Sequence, residues 1–174
     1  MTILQDRLQV LIGLPLSVAR NAAAMKVLHF GTVRPHRSGR GTAGTVGDYA
    51  FHIQCPWRIV SDSAIITGDA DRCVGPSGGF EINDEDWKSG NLQLVRLTAL
   101  MGGFDEATKS LVNITDRLVV QAVSSDIYGG VDVLLSGGFN LQIFPDASTG
   151  ENWRFIQVDG YHLVFEGGCL TVEE

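Results

Sequence analysis

Three glycines, Gly39, Gly41 and Gly44, stand at the spacing G-x-G-x-x-G within the stretch SGRGTAGTVG. That spacing cradles phosphates when a strand precedes it and a helix follows it, because the phosphate then meets the positive end of the helix. The preceding run KVLHFG is typical of a strand, but the following run YAFHIQC alternates apolar and polar residues and is also typical of a strand. The sequence therefore predicts an exposed hairpin loop here and no cofactor.

The same loop is basic in a chain whose formal net charge is −7. It carries Arg34, His36, Arg37 and Arg40. These side chains can hold a phosphate group or an acidic partner surface, and the alternative is a solvated loop tip. We name Arg34, Arg37 and Arg40 as candidate binding residues.

A second candidate binding surface is acidic. The stretch EINDEDW contributes Glu81, Asp84, Glu85 and Asp86. Carboxylates in such a run can bind a basic protein partner or a metal ion, whereas a solvated loop in front of the next helix is the structural alternative. We name these four residues as candidate binding residues and predict no metal site.

The histidines are the remaining candidates for chemistry. In a strand, His52 and Cys55 point to opposite faces, so the pair is not a metal-ligand pair and His52 is expected at the surface or beside a neighbouring strand. No catalytic sequence motif is present. An enzyme would require one of three histidines to meet one of three aspartates, namely His29, His52 or His162 with Asp69, Asp71 or Asp86.

Two helices are predicted by apolar spacing and by residues typical of helix ends. The run TILQDRLQVLI, residues 2–12, has apolar residues at helical spacing, with Thr2 as an N-cap and Gly13 after its end. The run 91–103 has Asn91 as an N-cap and ends in two glycines.

Most of the remaining chain has the alternation of β-strands. Strands are predicted at 15–20, 25–31, 49–55, 57–66, 117–125, 131–136, 139–144, 153–158, 161–166 and 169–173. Short connections favour antiparallel pairing. We therefore predict one α+β domain over residues 1–174, with an antiparallel, curved or barrel-like β-sheet and two or three short helices.

The order of these elements suggests an internal duplication. LPLSVARNAAAMKVLHFG followed by GDYAFHIQCPWRIV has the same parts in the same order as DRLVVQAVSSDIYGGVDVLLSGG followed by FNLQIFPDASTGENWRFIQV. Trp57-Arg58 then corresponds to Trp153-Arg154, and we expect both tryptophans in the core. The predicted pseudo-repeats span 2–66 and 104–173, with the first helix corresponding to a segment near 104–113.

Composition limits the classes of partner. With 20 acidic against 13 basic residues, the chain is not suited to nucleic acid or to an anionic membrane. Three separated cysteines and an N-terminus without the positive charge of a signal peptide favour a cytoplasmic protein. Exposed hairpin edges also make a homodimer one of the expected assemblies.

The runs GDYAFHIQCPWRIV, TGDADRC, DWKSGN and FNLQIFPDASTGENWRF together resemble an uncharacterised bacterial protein family of about this length. Small acidic members of that family look similar to immunity proteins of bacterial toxin systems. The resemblance implies an immunity-type protein that binds a toxin-like protein partner without catalysis or a cofactor. A small-ligand-binding protein with a pocket between sheet and helices, and an enzyme that uses His and Asp residues, are the alternatives.

Overall fold

The computed structural model describes residues 3–37, 41, 43–79 and 90–173. Within these ranges the chain forms two α-helices, α1 (Ile3–Leu8) and α2 (Leu92–Met101), and 3-10 turns at Gln9–Leu11 and Asp69–Cys73. The strands are β1 (Leu16–Ala22), β2 (Met25–Phe30), β3 (Arg34–Arg37), β4 (Ala43–Val46), β5 (Tyr49–Ile53), β6 (Trp57–Val60), β7 (Ile65–Gly68), β8 (Gly102–Asp105), β9 (Ser110–Asn113), β10 (Val120–Ser125), β11 (Val131–Leu135), β12 (Phe139–Ile143), β13 (Glu151–Gln157), β14 (His162–Glu166) and β15 (Cys169–Glu173).

The strands form two larger sheets and one hairpin. The larger sheet has the order β15-β14-β13-β5-β2-β1-β9-β8, the smaller sheet has the order β10-β11-β12-β6-β7, and β3 pairs only with β4. Neighbouring strands in every sheet run antiparallel, and neither larger sheet closes on itself. The predicted α+β class with antiparallel sheets and few helices is confirmed.

The two larger sheets exchange strands. β6 leaves the first meander to pair with β12, and Trp57 lies opposite Ile143. In the larger sheet, β13 pairs with β5, and Trp153 lies opposite Ile53. Each sheet is therefore built from both halves of the sequence, so neither half can form its sheet alone.

One hydrophobic core lies between these sheets, as the alternating burial of their strands requires. Phe51 is at its centre, with its ring centroid 4.9 Å from that of Phe155 and 5.8 Å from that of Trp153. Residues of the smaller sheet such as Leu141 belong to the same cluster. Both predicted core tryptophans are buried.

The helix α2 has the ends that its sequence predicts. The Asn91 side chain accepts a hydrogen bond from the backbone N–H of Leu94 at 2.8 Å, and Gly102 ends the helix with φ +84°. Both features satisfy backbone groups that a helix terminus leaves unpaired. Leu97 and Met101 are buried, so α2 covers one end of the sheets.

No helix among the described residues has the length and apolar composition to cross a bilayer.

Two sequence predictions are wrong because turns break the expected elements. The predicted strand 57–66 is a hairpin of β6 and β7, closed by a hydrogen bond from the Ser61 N–H to the Ala64 carbonyl oxygen at 2.8 Å. The segment 104–113, expected to correspond to the first helix, falls mostly in the β8–β9 hairpin, and Lys109 at its turn has φ +50°.

Candidate functional site

Arg34 and Arg37, the two predicted basic binding residues that the structure describes, have different surroundings. Arg34 pairs with Asp48 at 3.6 Å and with Asp159 at 3.3 Å, so its charge is balanced within the protein. Arg37 is exposed at the end of β3. Arg40 lies outside the described residues, and so do all members of the acidic stretch, Glu81, Asp84, Glu85 and Asp86.

The glycine-rich loop is part of a two-stranded hairpin. Gly44 lies within β4, and the next element is the strand β5, as the sequence predicts. Residues 34–37 and 43–46, which were expected within an exposed hairpin loop, pair as the strands β3 and β4. A G-x-G-x-x-G stretch followed by a strand has no helix N-terminus to offer a phosphate.

The β3–β4 hairpin lies over the outer face of the larger sheet and encloses a cleft of about 440 Å³ with it. We call this space the histidine cleft, because three of the four histidines in the chain line it. Its polar lining residues are Arg20, His29, His36, His52 and Asp159, and its apolar walls include Val46, Ala50, Ile156 and Val158.

The register of the sheet explains why these residues meet. Val27 of β2 lies opposite both Arg20 of β1 and His52 of β5, and paired residues share a face of the sheet. His29 follows Val27 by two positions, so it shares that face as well. Gly47 lets the hairpin return closely, since a Cβ at this position would lie 2.4 Å from the carbonyl oxygen of Phe30.

His29 is a neutral hydrogen-bond donor. Its side chain is 1% exposed, and its Nδ1 accepts a hydrogen bond from the backbone N–H of Gly47 at 3.3 Å. The neutral ring therefore carries its proton on Nε2, which is buried and has no partner among the described residues. Burial, followed by the nearby positive charge of Arg20, lowers the pKa of His29 to about 3.

Arg20 supplies the permanent positive charge of the cleft. Its guanidinium is half-buried, and no described residue forms a hydrogen bond or an ion pair with it. Burial lowers its pKa from the usual arginine value. His52 stands beside it with a pKa lowered to about 4, first by burial and then by Arg20 and Arg154.

The fourth histidine belongs to a separate cluster on the same face. Arg154 donates hydrogen bonds to Glu151 at 2.9 Å and to Glu173 at 2.6 Å, and its Nη1 lies 3.3 Å from Nδ1 of His162. This network is satisfied internally.

Asp69 and Asp71, the two described aspartates that the enzyme hypothesis required, do not line the histidine cleft. Asp69 pairs with Arg72, and Asp71 accepts a hydrogen bond from the Thr67 hydroxyl at 3.0 Å. Both lie in the 3-10 turn after β7, on the smaller sheet. Asp86 is outside the described residues. Among the described residues, the acid that lines the cleft is Asp159, which the sequence reasoning did not single out.

A second cleft, of about 280 Å³, lies between the larger sheet and α2. We call it the lysine cleft. Leu94, Leu97, Phe104 and Leu111 form its apolar walls, and Arg20, Asn21, Lys26, Gln93 and Lys109 are its polar residues. A cleft between sheet and helix is the location that the small-ligand alternative predicts.

Lys26 is the unusual residue of the lysine cleft. Its side chain is 5% exposed, and within the described part of the chain no carboxylate lies within 4.0 Å of its Nζ. Among the described residues, Nζ has one specific contact, with the Trp57 ring, whose centroid lies 5.5 Å away. Burial lowers the pKa of Lys26 to about 7, and the Asp69 carboxylate opposes this in part.

Sequence reasoning missed Lys26 although a signal for it was present. In the strand MKVLHF, Lys26 alternates in phase with Leu28 and Phe30, which are both buried. Period-two alternation thus places a lysine on the core face. Nothing comparable marks the meeting of His29 with His52, since it depends on which strands pair.

Comparison with protein-family models, with curated proteins and with solved structures finds no match to this chain.

Proposed function

We propose that the protein binds a small organic phosphate in the histidine cleft. The observation that carries this proposal is the half-buried guanidinium of Arg20, with which no described residue forms a hydrogen bond or an ion pair, in the same cleft as the buried Nε2–H of His29, which has no partner among the described residues. Buried polar groups are costly unless they find partners, so two adjacent donors without acceptors favour an acceptor-rich ligand.

The chemistry of the lining favours phosphate over a neutral ligand. Arginine binds phosphate with two parallel hydrogen bonds, and His36 and His52 can add further donors. Asp159, the acid in the lining, is drawn toward Arg34 by an ion pair at 3.3 Å. The apolar walls suit a small organic body, and the cleft has the volume typical of small-molecule sites.

This proposal develops the small-ligand alternative, with the site at the histidine cleft. Immunity-type binding of a toxin-like protein partner stays a prediction, because its acidic residues 81–86 are outside the described ranges. The resemblance to an uncharacterised bacterial protein family likewise stays a prediction. Arg34 and Arg37 lie on the hairpin that covers the cleft, and Arg37, which is exposed, contributes positive potential near its entrance, whereas the charge of Arg34 is balanced by Asp48 and Asp159.

We also propose that the chain arose by duplication of a meander. The equivalent registers of the two halves support it. Arg58, one position after Trp57, lies opposite Gln142. Arg154, one position after Trp153, lies opposite His52. The strand order supports it too. In the larger sheet, three strands of the first half, β1-β2-β5, are followed by two strands of the second half, β13-β14. In the smaller sheet, three strands of the second half, β10-β11-β12, are followed by two strands of the first half, β6-β7. Hydrogen bonds between residues 13–16 and 118–120 favour a barrel-like curvature where the sheets meet.

A cytoplasmic location and a homodimer remain part of the proposal. All three cysteines are free thiols, which agrees with a reducing compartment. The strands β15 and β8 end the larger sheet, and such edges can pair with a second copy.

Calorimetric titration tests the proposed ligand class. We expect saturable binding of phenyl phosphate and weaker binding of benzoate, which offers fewer acceptors. Because a charge-assisted hydrogen bond contributes about 1.5–3 kcal/mol, Arg20→Gln should weaken phenyl phosphate binding by about 10- to 100-fold.

The matched control is Arg58→Gln, which removes an arginine from the smaller sheet, where it donates to Gln142. This variant should bind like the unaltered protein. Equal losses in the two arginine variants, or no binding of phenyl phosphate by the unaltered protein, would contradict the proposal.

A further inference from the structure

The lysine cleft contains an amine in the setting that covalent chemistry requires. Lys26 lies among the polar residues of a cleft whose other walls are apolar. Within the described ranges its Nζ has no hydrogen bond, and its nearest specific neighbour is the face of Trp57 at 5.5 Å. A lysine held for stability alone would be expected to have a carboxylate or carbonyl partner at this depth.

We infer that Lys26 captures a small 2-oxo acid in the lysine cleft as a reversible imine. The inference rests on Lys26, which does not line the histidine cleft, and Arg20 is the one described residue that lines both clefts. It assigns the protein a covalent binding activity toward carbonyl compounds, beyond the binding of phosphates.

The amine is available as a nucleophile near neutral pH. Burial in apolar surroundings lowers the pKa of Lys26 to about 7, so a large fraction is unprotonated where an exposed lysine is almost fully protonated. Desolvation of this kind is a common way in which proteins activate lysine toward carbonyl carbon.

The surrounding residues suit the carboxylate of the ligand. Arg20 is the basic lining residue available to a carboxylate, because Lys109, which also lines the cleft, pairs with Glu106 at an exposed turn. Asn21 lies directly opposite Lys26 on the neighbouring strand, and Gln93 uses its Nε2 on the Gly68 carbonyl oxygen at 2.9 Å. The Asn21 amide is thus placed to hold the carbonyl oxygen next to the amine.

The step balances without an oxidant or a reductant. The unprotonated Nζ attacks the carbonyl carbon, and one proton passes from the nitrogen to the carbonyl oxygen through solvent to give a neutral carbinolamine. Solvent then protonates the hydroxyl, which leaves as water, and the nitrogen returns its remaining proton to solvent. One C=O bond becomes one C=N bond, and the net products are the imine and water.

Reductive trapping tests the inference on the full chain. The protein is incubated with pyruvate and cyanoborohydride, and the adduct is located by peptide mass mapping. The chain has three lysines, Lys26, Lys88 and Lys109, so two serve as internal controls. We expect the adduct at Lys26, with a trapping rate that rises with a midpoint near pH 7.

Variants separate the activity from the fold. Lys26→Arg keeps the positive charge and should abolish trapping, whereas Lys109→Met should keep Lys26 as the trapped residue. His29→Asn should also trap normally, so a failed phosphate titration does not decide this experiment. Labelling spread equally over the three lysines, or no adduct on a folded protein, would overturn the inference.

Discussion

Replacement of Lys26 by methionine should stabilise the protein in a pH-dependent manner. Methionine has a similar length and no charge, so it removes a buried ammonium that has no anionic partner among the described residues. The pKa of Lys26 is lowered from 10.5 to about 7. At about 1.4 kcal/mol for each tenfold change in the proton affinity, the protonated lysine costs the folded state about 5 kcal/mol.

The sign of the pH dependence follows from proton binding. Below pH 7 the lysine is protonated in both states and the folded state carries the whole cost. Between pH 7 and 10.5 the unfolded state binds more protons, so the stability of the unaltered protein rises with pH toward that of the variant. The contact with Trp57 contributes about 1–2 kcal/mol in the opposite direction. We therefore expect Lys26→Met to be about 3 kcal/mol more stable at pH 6.

Urea unfolding at pH 6, 8 and 10 measures this difference, and Lys109→Met is the control because Lys109 is exposed and pairs with Glu106. The free-energy gap between Lys26→Met and the unaltered protein should narrow as pH rises, while the control stays within about 0.5 kcal/mol throughout. A gap that does not change with pH would refute the idea that an unpaired ammonium is buried in this cleft.

Three further predictions concern the elements that build the two clefts. Burial lowers the pKa of His29 from 6.5 to about 3, so the free energy of unfolding of the unaltered protein falls as pH drops below 6.5. In urea unfolding, the decrease between pH 7 and pH 4 should be about 3 kcal/mol smaller for His29→Asn than for the unaltered protein. Gly47→Ala should destabilise the protein by about 2–4 kcal/mol, because its Cβ would lie 2.4 Å from the Phe30 oxygen; an unchanged melting temperature would show that the hairpin is not held there. Asn91→Ala should cost about 1 kcal/mol through loss of the N-cap, while Asn91→Asp should restore most of it.

The local elements were predictable because their signals lie within a few residues. Asn91 and Gly102 mark the ends of α2, and alternation within YAFHI places Phe51 and Ile53 inward. The correspondence of Trp57-Arg58 with Trp153-Arg154 also predicted that both tryptophans lie in the core. A strand face that is buried in one half was expected to be buried in the other half.

The remaining features depend on pairing between distant strands. The histidine cleft exists because β2 lies between β1 and β5 and because the hairpin folds back over that face, and no short sequence pattern encodes this order. The strand expected at 57–66 failed because a turn at Ser61–Ala64 interrupts residues of high strand propensity. Arg34 was expected to be available for ligands, but Asp48 and Asp159 balance its charge.

The most direct measurement of the proposed function is the NMR spectrum of the histidine rings during a phosphate titration. The neutral His29 ring should show an Nε2–H resonance at pH 7, since Nδ1 accepts the Gly47 N–H. Inorganic phosphate should shift the His29 and His52 resonances along one saturable curve, and Arg20→Gln should weaken that curve about 10- to 100-fold. His162, which contacts Arg154 and does not line the cleft, should move much less. Resonances of His29 and His52 that do not move, or that move no more than those of His162, would contradict an anion site in the histidine cleft.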